Sequence, residues 1–254
     1  PHAFLELFLF HGSAASPSVL TVPGAYLSVV LHFVGLGLNP EGISLEGLQK
    51  LESADSAFVE FYTNVEMNLS GLEDRTGTEI TELSREQVER EMRPVEAAED
   101  EEAVLLVPGD PFAATTHQEL RQEAESRGLN VTVSHSGSVL TAVGETGLDL
   151  YRFGRTVTLP SHGCPPSVVE MIGENDSVGL HTLVLLDPGL DASEAAEMLE
   201  TEVGDRRCVA CSRLGKPGSH AETGMLSDVC ADGAGPHCLV LTGNATEKEE
   251  EYIG

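Results

Sequence analysis

Three short apolar runs each stop at a turn built from glycine or proline, and this repeat constrains the fold more than any other feature of the chain. Leu31–Val34 runs into Gly35-Leu36-Gly37, Ala103–Val107 into Pro108-Gly109-Asp110-Pro111, and Thr182–Leu186 into Asp187-Pro188-Gly189. Short apolar runs without polar alternation suit strands buried on both faces. Helical patterns lie between them: Ile43 to Ser53 with Ser44 as cap, Thr116 to Arg127 stopped by Gly128, Val168–Glu174, and the amphipathic Ala192–Val203. Ser84-Arg85-Glu86-Gln87 offers a capping box within the acidic stretch 73–102. Further strands are expected at Ala57–Phe61, Val131–Val133, Arg207–Ser212 and Cys238–Thr242. Strands alternating with helices predict an α/β fold of parallel βαβ units, and the pattern restarts after Ser138. The expectation is two α/β domains, residues 31–137 and 138–254, with a ligand in the cleft between them.

Charge narrows the class. Asp and Glu number 42 against 14 Lys and Arg, with lysine only at positions 50, 216 and 248, for a formal charge of −28. Such a surface excludes phosphate-backbone binding as the main activity, because a polyanion needs neutralising cations. Either a basic partner or a salt-rich cytosol would account for the acidity. The even spread of acids and the scarcity of lysine favour salt adaptation, and self-repulsion should then loosen the fold at low salt. Five cysteines, an odd number in a chain of 254 residues, point away from a disulfide framework and toward a reducing cytoplasm. Residues 1–30 are apolar, lack Lys and Arg, and are interrupted by Pro17 and Pro23. They fit neither a signal peptide nor a membrane-spanning helix. An extension outside the fold is expected, with a membrane anchor as the alternative.

The turns offer candidate chemistry. Gly35-Leu36-Gly37 lacks the third glycine of a dinucleotide fingerprint and reads equally well as an ordinary strand–helix turn. In Pro108-Gly109-Asp110-Pro111, two prolines stiffen a strand-end turn that holds one carboxylate, able to accept from an ammonium or a ribose diol. Asp110 could instead cap the helix that runs on through Thr115 and Thr116. Cys208-x-x-Cys211, with Cys230, His237 and Cys238, has the residue types of a zinc site. A strand across Arg207–Ser212 would, however, point Cys208 and Cys211 to opposite faces, so structural cysteines and no metal are expected. His117 and His181 have no evident nucleophile or acid partner and are assigned to packing or helix-end hydrogen bonds. There is no GxxxxGK[ST] and no Ser-His-Asp or Cys-His order, which argues against hydrolase and nucleotidase chemistry.

Longer strings carry a resemblance. Phe33-Val34-Gly35-Leu36-Gly37-Leu38, Glu60-Phe61-Tyr62-Thr63, the run Pro108 to His117 (PGDPFAATTH), Ser138-Val139, Thr146-Gly147-Leu148, Tyr151-Arg152-Phe153-Gly154 and Gly179-Leu180-His181-Thr182-Leu183 occur in the order and spacing of the diphthine synthases. The chain resembles that family from about Leu31 to its end. The two glycine turns alone are shared with corrin and sirohaem methyltransferases. The resemblance implies two α/β domains of the tetrapyrrole methylase type, S-adenosylmethionine in the cleft between them, and a homodimer. It also implies an activity: N-methylation of the aminocarboxypropyl-modified histidine of elongation factor 2. Cofactor contacts carried over by position are Leu38, Asp110, Ala113, Ser138, Val139, Leu186, Leu214 and His237; no catalytic acid or base is implied. The chain departs from the family in a short loop at Leu159–Pro166, a short stretch between Asp187 and Arg213, and its first thirty residues. A tetrapyrrole methyltransferase and a non-catalytic elongation-factor-binding relative are the alternatives.

Overall fold

A computed structural model describes residues 29–62, 67–230 and 235–253. Most of the 1–30 extension, and Thr63, lie outside the described residues. The first half is built on β1 (Val30–Gly37), β2 (Ser56–Val59), β3 (Ile80–Glu82), β4 (Ala103–Pro108) and β5 (Asn130–Ser134), ordered β3-β2-β4-β1-β5. Every pairing in this sheet is parallel. β1 starts at Val30, which pairs with Asn130, so the strand reaches into the stretch read as an extension.

Helices α1 (Leu45–Ser53), α2 (Ser70–Thr76), α3 (Arg85–Glu89), α4 (Arg93–Ala97) and α5 (Gln118–Ser126) connect these strands. Ser44 caps α1 by accepting from Gly47 N, and the box at Ser84 and Gln87 opens α3. Leu31, Phe33, Leu105 and Val107 enter one apolar cluster, while Val34, Leu36, Val104 and Leu106 enter another on the opposite face. Burial on both faces is why these strands read as unbroken apolar runs.

The second half carries β6 (Val157–Leu159), β7 (Thr182–Leu186), β8 (Arg207–Ser212), β9 (His220–Met225) and β10 (His237–Leu241), ordered β6-β7-β10-β8-β9. Helices α6 (Val139–Ala142), α7 (Pro166–Ser177), α8 (Ala192–Val203) and α9 (Glu247–Ile253) accompany it. The restart of the βα pattern predicts a second parallel sheet, and here the structure differs. Only β6 and β7 run parallel; β10 is antiparallel to both neighbours, and β9 is antiparallel to β8. The short β8–β9 connection allows a hairpin, whereas a parallel return needs a crossover of a dozen or more residues.

Cys208 packs into the cluster beneath α7 and α8, and Cys211 into the cluster on the other face of the sheet, as the strand period requires. Glu249 of α9 is buried and accepts from Asp149 N (2.9 Å), Thr246 N (2.7 Å) and His181 Nε2 (3.2 Å). His181 Nδ1 in turn accepts from Gly243 N, so this histidine joins the last helix to the sheet.

Candidate active site

The two glycine turns of the first half close on each other. Gly37 N donates to Gly109 O at 3.1 Å and Gly109 N to Gly37 O at 2.8 Å. Both residues have positive φ, 71° and 79°, which glycine adopts without steric cost. A Cβ on Gly35 would lie 2.7 Å from the Gly109 carbonyl oxygen, so the close approach itself demands glycine. The Gly-x-Gly turn is therefore half of an interlocked pair of turns at the carboxyl ends of β1 and β4. Beyond this pair opens a cleft of about 470 Å³, walled on its far side by β6, β7, β8, β10 and the β8–β9 turn.

Seven of the eight expected contact residues line this cleft: Leu38, Ala113, Ser138, Val139, Leu186, Leu214 and His237. Asp110 does not. Its Oδ1 accepts from Phe112 N (3.0 Å), and its Oδ2 accepts from His135 Nδ1 (2.7 Å) and Ser136 N (3.2 Å). The carboxylate joins the β4 turn to the end of β5, and its first partner is two residues on rather than the helix start. Residues 111–116 form a turn with Ala114 at φ 60°, so α5 begins at Gln118, later than the pattern from Thr116 suggests. His117 is buried behind this turn, with its Nδ1 3.1 Å from the Pro111 carbonyl.

The cleft wall also carries residues that were not expected there, among them Tyr62, Arg85, Asp187 and Lys216. Arg85, the first residue of α3, donates from Nε to Glu89 Oε2 at 2.9 Å and lies 5.7 Å from the Tyr62 ring centroid. The Tyr62 hydroxyl is buried without a hydrogen-bond partner among the described residues. Burial, reinforced by the charges of Glu60 and Glu89, raises its pKa and keeps it a donor. Burial and the nearby Arg213 push the Lys216 ammonium down. A hydrogen bond with Cys238, together with burial, pushes the Cys211 thiol far up, so this cleft cysteine is no thiolate nucleophile. The only signal for Asp187 was its place in a strand-end turn; Tyr62 and Arg85 meet only through the fold.

The wall suits a partly apolar ligand of modest charge. Leucine and valine side chains stand beside backbone groups at strand ends, two cations and one carboxylate. His237 Nε2 is buried and unpartnered among the described residues, leaving a polar atom for a ligand to meet. A nucleoside with a charged amino-acid tail fits this donor set; a polyphosphate, with only Arg85 and Lys216 to neutralise it, does not.

The fold and this cleft define a methyltransferase class: the chain belongs to the tetrapyrrole (corrin/porphyrin) methylase family, which matches residues 30–230. Relatives within that class include diphthine synthases. The chain is 39% identical over 243 residues to diphthine synthase of Haloquadratum walsbyi, covering 88% of this chain and 94% of the relative. It is 34% identical over 265 residues to diphthine methyl ester synthase of Eremothecium gossypii, covering 88% and 89%. A crystal structure of diphthine synthase superposes with a TM-score of 0.82 at 33% identity, covering 88% of this chain and 94% of that one.

Proposed function

We propose that this chain methylates the amino nitrogen of the 3-amino-3-carboxypropyl group carried by one histidine of elongation factor 2, with S-adenosylmethionine as donor. The observation that carries the reading is the cleft, where seven of the eight residues implied by the resemblance come together from both halves of the chain. Relatives named diphthine synthase, alike along most of their length, support the same assignment. When bound, the cofactor supplies a methyl group on a sulfonium already activated for transfer.

The protein's part is then to hold the amine in line and keep water out, a contribution through proximity and orientation. Leu38, Ala113, Val139, Leu186 and Leu214 provide the apolar walls, Ser138 and His237 the polar contacts. Asp110 acts from behind by fixing the turn that presents Ala113. The reading includes a homodimer in a reducing cytoplasm. The −28 charge and the similarity to a Haloquadratum protein support adaptation to high salt.

The test incubates the full chain in concentrated KCl with S-adenosylmethionine and elongation factor 2 bearing the unmethylated intermediate. Mass spectrometry should find the histidine peptide heavier in steps of one methyl, and unchanged when the histidine is unmodified. Methylation of a precorrin instead would overturn the assignment.

A further inference from the structure

The acceptor group ends in a carbon that bears both an amine and a carboxylate, so a site that aligns the amine must also accommodate an anion beside it. Among the described residues, Asp187 is the only carboxylate on the cleft wall. It stands at the carboxyl end of β7, its backbone N bonded to Leu159 O (3.1 Å) and its carbonyl accepting from Leu190 N (3.0 Å). One side-chain oxygen, Oδ2, accepts from Ser161 N at 3.1 Å, which fixes the carboxylate; Oδ1 has no partner among the described residues.

The opposite wall presents donors. Arg85 uses only Nε on Glu89, whose other oxygen is taken by Thr116 Oγ1 at 2.8 Å. The two terminal guanidinium nitrogens make no hydrogen bond among the described residues, and the guanidinium lies over the ring of Tyr62, 5.7 Å from its centroid. Asp187 and Arg85 line the same cleft, and the charge of Asp187 adds a small part to the rise in the Arg85 pKa, which comes mainly from Glu89.

We infer that Asp187, Arg85 and Tyr62 form the seat for the amino-acid head of the acceptor, with its ammonium on Asp187 and its carboxylate on Arg85 and the Tyr62 hydroxyl. The inference rests on the function proposed above. One half of the chain supplies the anion and the other the donors, so the seat exists only when both walls face each other. A planar guanidinium beside a second donor suits a carboxylate, which accepts through two oxygens. Holding carboxylate and amine together fixes which nitrogen faces the methyl donor and discriminates against unmodified histidine, which lacks both groups.

The cofactor also ends in an amino acid, so the experiment has to tell the two zwitterions apart. Asp187→Asn, Arg85→Met and Tyr62→Phe are compared with the wild-type full chain in high salt. Affinity for S-adenosylhomocysteine is read by calorimetry, and kcat/KM with elongation factor 2 carrying the intermediate. The expected result is a fall in kcat/KM of roughly 10- to 100-fold for Asp187→Asn and Arg85→Met, and about fivefold for Tyr62→Phe, with S-adenosylhomocysteine affinity within about threefold of wild type. The rate of the wild type should rise with pH as the bound amine loses its proton. In Asp187→Asn that rise should move to lower pH, because an adjacent anion no longer stabilises the ammonium. A merely structural role would not move it. Unchanged kcat/KM in Asp187→Asn, or S-adenosylhomocysteine affinity falling in step with kcat/KM, would overturn the assignment. Wild-type chain that binds S-adenosylhomocysteine yet never methylates elongation factor 2 would instead sink the functional reading itself, before any variant is made.

Discussion

The two halves of the chain enclose one cleft with walls of different construction. The first half has a parallel sheet whose central strands, β1 and β4, are buried along almost their whole length, and its wall combines strand-end turns pinned to each other by backbone hydrogen bonds with the side chains of Leu38, Tyr62 and Arg85. The second half has a largely antiparallel sheet with a hairpin edge, β9, that is mostly open to solvent. Its wall is made of side chains from β6, β7, β8 and β10 and of the β8–β9 turn. The hairpin turn is held from outside: Glu145 accepts from Gly215 N (3.0 Å) and Ser219 Oγ (2.6 Å), and Asn39 of the first half donates to Gly215 O. A wall of interlocked backbone tolerates little change. A wall of side chains can vary in sequence while keeping its shape, which fits the departures from the family in the second half.

The largest effect that could break this contrast lies in the cores. Leu105→Ala, in the centre of β4, should destabilise by about 2–5 kcal/mol, the usual range for a leucine fully enclosed by packed neighbours. Glu222→Ala on the exposed β9 should stay within about 0.5 kcal/mol. Denaturant titration compares the two, and a β9 substitution as costly as the β4 one would show that the edge hairpin is no peripheral element.

The C-terminal helix gives the next effect, and it depends on pH. Burial raises the pKa of Glu249, but hydrogen bonds from the Thr246 and Asp149 backbone, the Thr246 hydroxyl and His181 outweigh it and hold the carboxyl at about 2. A carboxyl depressed by folding contributes stability above its unfolded pKa and loses it as pH falls through the folded value. Between about pH 4.5 and 2 this residue should therefore cost the fold about 2–3 kcal/mol. Glu249→Gln should flatten that part of the stability profile, and an unaltered profile in the variant would remove Glu249 from the account.

The turns sharpen the comparison further. Gly35→Ala would drive a methyl group against the Gly109 carbonyl and the Ser136 side chain. It should cost about 1–3 kcal/mol and weaken S-adenosylhomocysteine binding. Gly189→Ala, in the corresponding turn of the second half, has open space for its methyl group and bears only the strain of φ 91°, about 1–2 kcal/mol. Calorimetry should find its cofactor affinity near wild type; equal losses of affinity in both variants would end the distinction between the walls.

The smallest expected effect concerns Asp110. If it shapes the turn without touching the ligand, His135→Gln should reproduce part of the loss of affinity seen in Asp110→Asn, each below about 1.5 kcal/mol. A full effect in Asp110→Asn with none in His135→Gln would return Asp110 to direct contact with the cofactor.

Much of the local structure was legible in residue order. The bounds Thr182–Leu186, Ala192–Val203 and Arg207–Ser212 read from periodicity coincide with β7, α8 and β8. The capping box at Ser84 and the stop at Gly128 stand where their side chains suggested. Strands β3, β6 and β9 were not legible, being short or polar; the sequence HAETGM has no apolar alternation and becomes a strand because β8 offers it a ladder. The helix over Glu247–Ile253 reads as an acidic tail until Thr246, Asp149 and His181 are seen to take up Glu249.

Residue order by itself determined where strands end in glycine turns, since backbone sterics and burial on both faces act over a few neighbours and leave a local pattern. The strings shared with a family implied eight contact residues, of which seven line the cleft and Asp110 does not. Tertiary structure alone decided that the Asp110 carboxylate faces His135 and Ser136, that the second sheet is largely antiparallel, and that Asp187 stands across from Arg85 and Tyr62. Those outcomes depend on which strands pair and how two sheets face each other. The charges concerned lie far apart in the chain, and no local spacing records that they will share one cleft.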